Sequence, residues 1–121
     1  MEQEDGFRKE ITDVKNYIHH HYSEKNIGPE TLASIVYLSQ GYLSAVFKEE
    51  TGVTINRYIR QVRMEKAKEL LENTNKKIGQ IAKEVGFSNS SYFCRSFKEY
   101  FGISPESCRK GKSDEETAEE I

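Results

Sequence analysis

The chain says nearly the same thing twice. GYLSAVFKEETGVT runs from Gly41 to Thr54, and SYFCRSFKEYFGIS runs from Ser91 to Ser104. Apolar residues recur at matching places, followed by Phe-Lys-Glu, a glycine, an aliphatic residue and a hydroxyl residue. Ala33 and Ala82 are 49 positions apart, while Phe47 and Phe97 are 50 apart. The second copy therefore carries one extra residue in its turn. With 121 residues the chain holds one domain, or two very small ones sharing a core. Two copies, each flanked by a different helix, are too few for a solenoid. Each copy reads as one supersecondary unit.

The local patterns are helical throughout. Phe7, Ile11, Val14, Tyr17, Ile18 and Tyr22 recur at three- and four-residue steps, the period of an amphipathic helix. Pro29 to Val36 predicts a short helix with Leu32, Ala33 and Val36 inward. Leu38 and Ser39 form a tight turn, with Ser39 as N-cap. Gln40 to Thr51 predicts a second helix burying Leu43, Val46 and Phe47, ended by Gly52. Thr54 caps a long helix to about Glu72, with Ile55, Tyr58, Ile59, Val62, Ala67, Leu70 and Leu71 on one stripe. The pattern then restarts. Ile78 to Val85 turns Ile81, Ala82 and Val85 inward, and Gly86-Phe87-Ser88 is the turn. Ser90 to Phe101 buries Phe93 and Phe97, and Gly102 ends it. Ser104 and Pro105 open a last short helix through about Lys110. No stretch alternates with period two as a strand would. The organisation is a lead and first helix over 1–26, a first unit with its long helix over 27–73, a second unit with a final helix over 74–110, and an acidic disordered tail over 111–121.

The net charge of −2 conceals a division. Residues 1–26 carry four Lys or Arg against six Asp or Glu, and residues 111–121 carry one against five. The repeat region, 27–110, carries thirteen against nine, so it is basic. A basic centre with acidic ends is compatible with phosphate contact. The longest apolar run is too short for a transmembrane helix, and the start lacks a signal-peptide core. Cys94 and Cys108 show no paired spacing, which fits a reducing compartment. The chain is expected in the cytoplasm, away from membranes.

A short helix, a tight turn and a second helix buried on one face make a helix-turn-helix. Small Ala33 and Ala82 allow the two helices to cross closely. The polar face of each second helix is then free to enter the major groove of double-stranded DNA. The base-contacting candidates are Gln40, Gly41, Ser44 and Ala45 in the first copy, and Ser90, Ser91, Cys94 and Arg95 in the second. Arg95 can pair with guanine O6 and N7, and Gln40 with adenine N6 and N7. Cys94 is small enough to pack on a thymine methyl. Ala45 stands where the second copy has Arg95, so hydrogen-bonded base readout falls mainly to the second copy. The first leans on apolar contact, shape and phosphates. The phosphate candidates are Lys48, Arg57, Arg60, Lys76, Lys77 and Lys98.

These residues carry a resemblance. LASIVYLSQGYLSAVFKEETGVTINRYIRQVRMEKAKELL, followed by IGQIAKEVGFSNSSYFCRSFKEYFGISPESCRK, resembles the DNA-binding domain of AraC/XylS-type transcription regulators over about residues 9–110. YIHHHYSEKNIGPETLA is similar to the version attached to receiver domains in bacterial two-component response regulators. The resemblance implies an all-α fold of seven helices, two helix-turn-helix units joined by a linker helix over Ile55–Glu72. It implies two recognition helices in successive major grooves, roughly 34 Å apart on one face of the DNA. Its further implications are RNA polymerase as a partner, a sensor or receiver domain in the intact protein, and a monomeric isolated domain. Family members often carry arginine or another bulky polar residue at the position of Ala45. The abrupt, acidic start suggests part of a longer regulator.

Other readings of the same residues lose ground. His19-His20-His21 invites a metal, but adjacent helical residues point about 100° apart and do not converge on one ion. Cys94 invites a redox switch, though a small groove-facing residue explains it. No nucleophile–base set, phosphate-binding glycine loop or paired carboxylates suggest an enzyme, and nothing calls for a cofactor. The rival reading is a helical protein-interaction module that has lost DNA binding. Ala45 and the weakly basic face favour it, while Arg95 and Lys98 oppose it.

Overall fold

Pro29 and Pro105 open helices, and Gly52 and Gly102 close them. A computed structural model of the protein describes residues 2–111, with side chains from residue 8 onward. Seven helices and no strand form among these residues: α1 Glu2–His21, α2 Pro29–Ile35, α3 Gln40–Thr51, α4 Ile55–Asn73, α5 Ile78–Glu84, α6 Ser90–Phe101 and α7 over 105–111. The Phe7 side chain and the acidic tail beyond Gly111 lie outside the described residues.

The chain divides into two compact units, Met1–Val62 and Arg63–Ile121. In the first, Ile11, Val14 and Ile18 of α1 meet Leu32 and Ala33 of α2, Leu43 and Phe47 of α3, and Ile55, Ile59 and Val62 of α4. Tyr17, Tyr22, Ile27, Val36, Leu38, Val46, Val53 and Tyr58 pack around them, half-buried. Each fully buried large apolar side chain contributes about 1.5–3 kcal/mol. In the second unit, Met64, Ala67 and Leu71 of α4, Ile81, Ala82 and Val85, Phe93 and Phe97 of α6, and Cys108 of α7 are buried. A run of ring contacts links Phe87, Phe93, Phe97 and Phe101, with centroids 5.2, 5.8 and 4.6 Å apart in turn. Such pairs add about 0.5–1.5 kcal/mol beyond their burial.

The long helix α4 departs from the expected single stripe. Ile55, Ile59 and Val62 recur at four- and three-residue steps, and Met64, Ala67 and Leu71 at three and four. The step from Val62 to Met64 is two residues, about 200° around a helix. The stripe is therefore two shorter runs, Ile55 to Val62 in the first unit and Met64 to Leu71 in the second. Met64 starts the second and is fully buried.

The helix ends are built from local sequence. Arg57 N–H donates to Thr54 Oγ1 at 3.1 Å, and Ser107 N–H to Ser104 Oγ at 3.1 Å. At its C-terminal end, α4 leaves carbonyls that no further turn satisfies. Arg109 of α7 supplies the donors: its Nε bonds the Leu71 carbonyl at 3.1 Å and its Nη2 the Thr74 carbonyl at 3.3 Å. No helix among the described residues is long and apolar enough to cross a membrane.

Candidate nucleic-acid interface

The two copies of the repeat have the same frame, bond for bond. Leu38 N–H donates to the Ala33 carbonyl at 3.0 Å, and Phe87 N–H to the Ala82 carbonyl at 2.9 Å, closing the two turns. Ser39 Oγ accepts from Tyr42 N–H at 3.2 Å, and Asn89 Oδ1 accepts from Tyr92 N–H at 2.9 Å, capping α3 and α6. Each cap fills one of the donors that a helix start leaves open. At the other ends Gly52 and Gly102 take φ of 82° and 80° and donate to the Lys48 and Lys98 carbonyls. The matching bonds place the extra residue of the second copy at Ser88, after the turn is closed and before the cap.

Each frame sets one helix face outward. On α3, Leu43 and Phe47 are fully buried, while Gln40, Gly41, Ala45 and Lys48 are exposed and Ser44 is half-buried. On α6, Phe93, Ser96 and Phe97 are buried, while Ser90, Ser91, Arg95 and Lys98 are exposed and Cys94 is half-buried. Within each unit the base-contacting candidates of the sequence thus share one outward face. Tyr42 and Tyr92 stand at matching places in the first turns of α3 and α6, 44% and 57% exposed. Both faces are small or polar near the helix start, which permits close approach to base edges.

Lys48, Arg57, Arg60, Lys77 and Lys98 are exposed. Lys76 is engaged: its Nζ lies 3.0 Å from both carboxylate oxygens of Glu84. That ion pair offsets its charge within the fold and leaves it less able to serve a phosphate.

Cys94 is not an activated thiol. Burial and, next, the Glu106 carboxylate push its pKa up from the ordinary cysteine value. A thiol that resists ionisation is a poor nucleophile and a poor redox switch. The three histidines turn to three different partners. His19 Nε2 shares a 2.9 Å hydrogen bond with the Tyr58 hydroxyl, His20 Nδ1 donates to the Asn16 carbonyl at 2.7 Å, and His21 Nδ1 lies 2.9 Å from Glu24. No group of three or more His, Cys, Asp or Glu among the described residues is placed to hold a metal.

Two features of the frame escaped the sequence reading. Tyr37 closes the first turn with a left-handed φ of 60°, where the second copy has Gly86 at 106°. Aligning the copies from Ala33 and Ala82 would have exposed the pairing. Gly86 also lies against the half-buried Arg63 side chain. A Cβ there would sit 2.9 Å from Arg63 Nε and 3.0 Å from its Cζ.

Comparison with known proteins agrees with this geometry. The model of a family described as helix-turn-helix domain matches residues 32–111. The Msm operon regulatory protein of Streptococcus mutans is 40% identical over 100 residues, 83% of this chain and 36% of that protein. The chain spans about a third of the length of the first curated relatives it matches. Among solved structures, the C-terminal domain of AraT, a response regulator from Geobacillus stearothermophilus, is 34% identical, with a TM-score of 0.82 over 84% of each chain. The DNA-binding domain of AdpA, a global transcriptional factor solved in complex with a target DNA, is 25% identical. Its TM-score is 0.78 over 84% of this chain and 90% of that one.

Proposed function

The chain belongs to the AraC/XylS-type helix-turn-helix family, and on that premise we propose that it binds double-stranded DNA in a sequence-specific way, as the output domain of a longer transcription regulator. The observation that carries the reading is the pair of matched frames: two capped helices, each buried on one face and small or polar on the other. The helices α3 and α6 enter successive major grooves. Gln40, Gly41, Ser44 and Ala45 face bases at one half-site, and Ser90, Ser91, Cys94 and Arg95 at the other. Arg95 supplies the strongest base readout, a bidentate pair with guanine. Lys48, Arg57, Arg60, Lys77 and Lys98 hold the phosphates, and Lys76, which also pairs with Glu84, adds a further contact.

The likeness to the AraT domain supports a place behind the receiver domain of a two-component response regulator. In that setting the receiver sets the oligomeric state, and this domain alone is a monomer. Contact with RNA polymerase follows from the regulator role. The test is selection from a randomised duplex library at moderate salt. Two enriched elements about 10 base pairs apart are expected, the sharper one read by α6. Binding should weaken linearly on a log–log plot against salt as phosphate contacts release counterions. No enrichment together with salt-independent binding would overturn the reading in favour of a protein-interaction module.

A further inference from the structure

Tyr37 is the residue of the first unit that folding explains least. Its side chain is 94% exposed. No hydrogen bond or ring contact joins that side chain to another described residue. Its φ of 60° is disfavoured for any residue with a Cβ. The second copy closes the same turn with Gly86 and the same backbone bond, so the turn itself asks for no side chain. A strained and exposed aromatic residue directs attention to function rather than stability.

Its position says which function. Tyr37 stands two residues before Ser39, the N-cap of α3, and so flanks the end of the helix that approaches base edges. The major groove is about 12 Å wide and walled by phosphates. A long side chain standing out beside a helix start in that groove meets backbone rather than bases. A phenol hydroxyl is a neutral donor of the kind phosphate oxygens accept. The first copy is also the one without an arginine on its groove face.

We propose that Tyr37 is a positioning residue for DNA: its hydroxyl donates a hydrogen bond to a backbone phosphate beside the half-site read by α3. The inference rests on the DNA-binding reading above. A phosphate contact carries no sequence information, so its loss weakens all duplexes alike. A neutral donor displaces no counterion, so the salt dependence is unchanged.

The experiment compares wild type, Tyr37→Phe and Tyr37→Gly in the full chain. Each is titrated over a range of salt against two probes: a duplex enriched from the randomised library by the wild-type protein, and an unrelated duplex of equal length. Both variants are expected to bind both duplexes about tenfold more weakly, with the wild-type salt slope. Tyr37→Gly should melt no lower than wild type, because glycine relieves the left-handed strain. Affinity and stability then part company, which unfolding cannot imitate. Equal binding by wild type and Tyr37→Phe overturns the proposal while the DNA reading stands, and leaves Tyr37 beside exposed Ile35 as a surface for a protein. A loss confined to the enriched duplex also overturns it, since the role would then be base readout. If the wild type binds neither duplex, the reading beneath the inference fails instead.

Discussion

Gly86→Ala should destabilise the second unit, and the structure says by roughly how much. Gly86 has φ 106°, a region that costs a residue with a Cβ about 1–3 kcal/mol. The new methyl would also meet the Arg63 guanidinium, 2.9 Å from Nε, 3.0 Å from Cζ and 3.2 Å from Nη2. Arg63 is half-buried, and burial already lowers its pKa from the usual guanidinium value. Those atoms are the far end of a flexible side chain, so Arg63 gives way at small cost and the backbone term dominates. Against these costs, alanine restricts the unfolded chain and recovers about 0.4–1 kcal/mol. The balance is about 1–2 kcal/mol of lost stability, a fall in Tm of several degrees per kcal/mol. Urea denaturation followed by circular dichroism measures it. Adding Arg63→Ala separates the causes: if the guanidinium contact matters, the double variant loses less than the sum of the singles. A Gly86→Ala protein within about 0.5 kcal/mol of wild type would refute the reasoning.

Three further outcomes follow from the proposed interface. Arg95→Ala should lower specific affinity by about tenfold to a hundredfold and relax preference at one base position, read by library selection with the variant. Lys98→Ala should reduce the log–log salt slope by about one, whereas Lys76→Ala should move it little, because Glu84 holds that ammonium at 3.0 Å. Cys94 should react with a thiol reagent more slowly at neutral pH than a free cysteine, and approach it only as pH rises past the ordinary thiol value. Burial and Glu106 raise its pKa, so less thiolate is present at each lower pH.

The second helix of each copy was legible to the residue, while the short first helices end one residue earlier than read, at Ile35 and Glu84. Gln40–Thr51 and Ser90–Phe101 are bounded by caps and glycines that lie next to them in sequence. The outward faces followed from the same periodicity. What stayed hidden depends on residues far apart or on register. Both runs of α4 keep the three- and four-residue steps, so only the two-residue jump at Met64 marks where one core ends and the other begins. Arg109 reaches the Leu71 carbonyl from 38 residues away, and no local pattern announces that. Lys76 read as a phosphate candidate because its partner Glu84 sits at the other end of α5. Asn89 was missed as a cap because the extra Ser88 shifts it out of line with Ser39.

The two copies agree at several positions of their frame and differ at each of the base-contacting candidates. Ala33 and Ala82, Phe47 and Phe97, and Gly52 and Gly102 are identical pairs, set by helix crossing, core volume and helix ends, while the exposed Lys48 and Lys98 are an identical pair among the phosphate candidates. Gln40 against Ser90, Gly41 against Ser91, Ala45 against Arg95 and Tyr37 against Gly86 are not. Apart from Tyr37 and Gly86, these divergent positions are exposed and carry no packing demand, so folding does not require them to differ. Two identical units of a symmetric dimer read a palindrome, because each meets the same half-site. Two unlike units in one chain meet unlike half-sites in a fixed order. On the DNA-binding reading, the site this chain recognises therefore has a direction, and the regulator bound to it faces one way along the duplex.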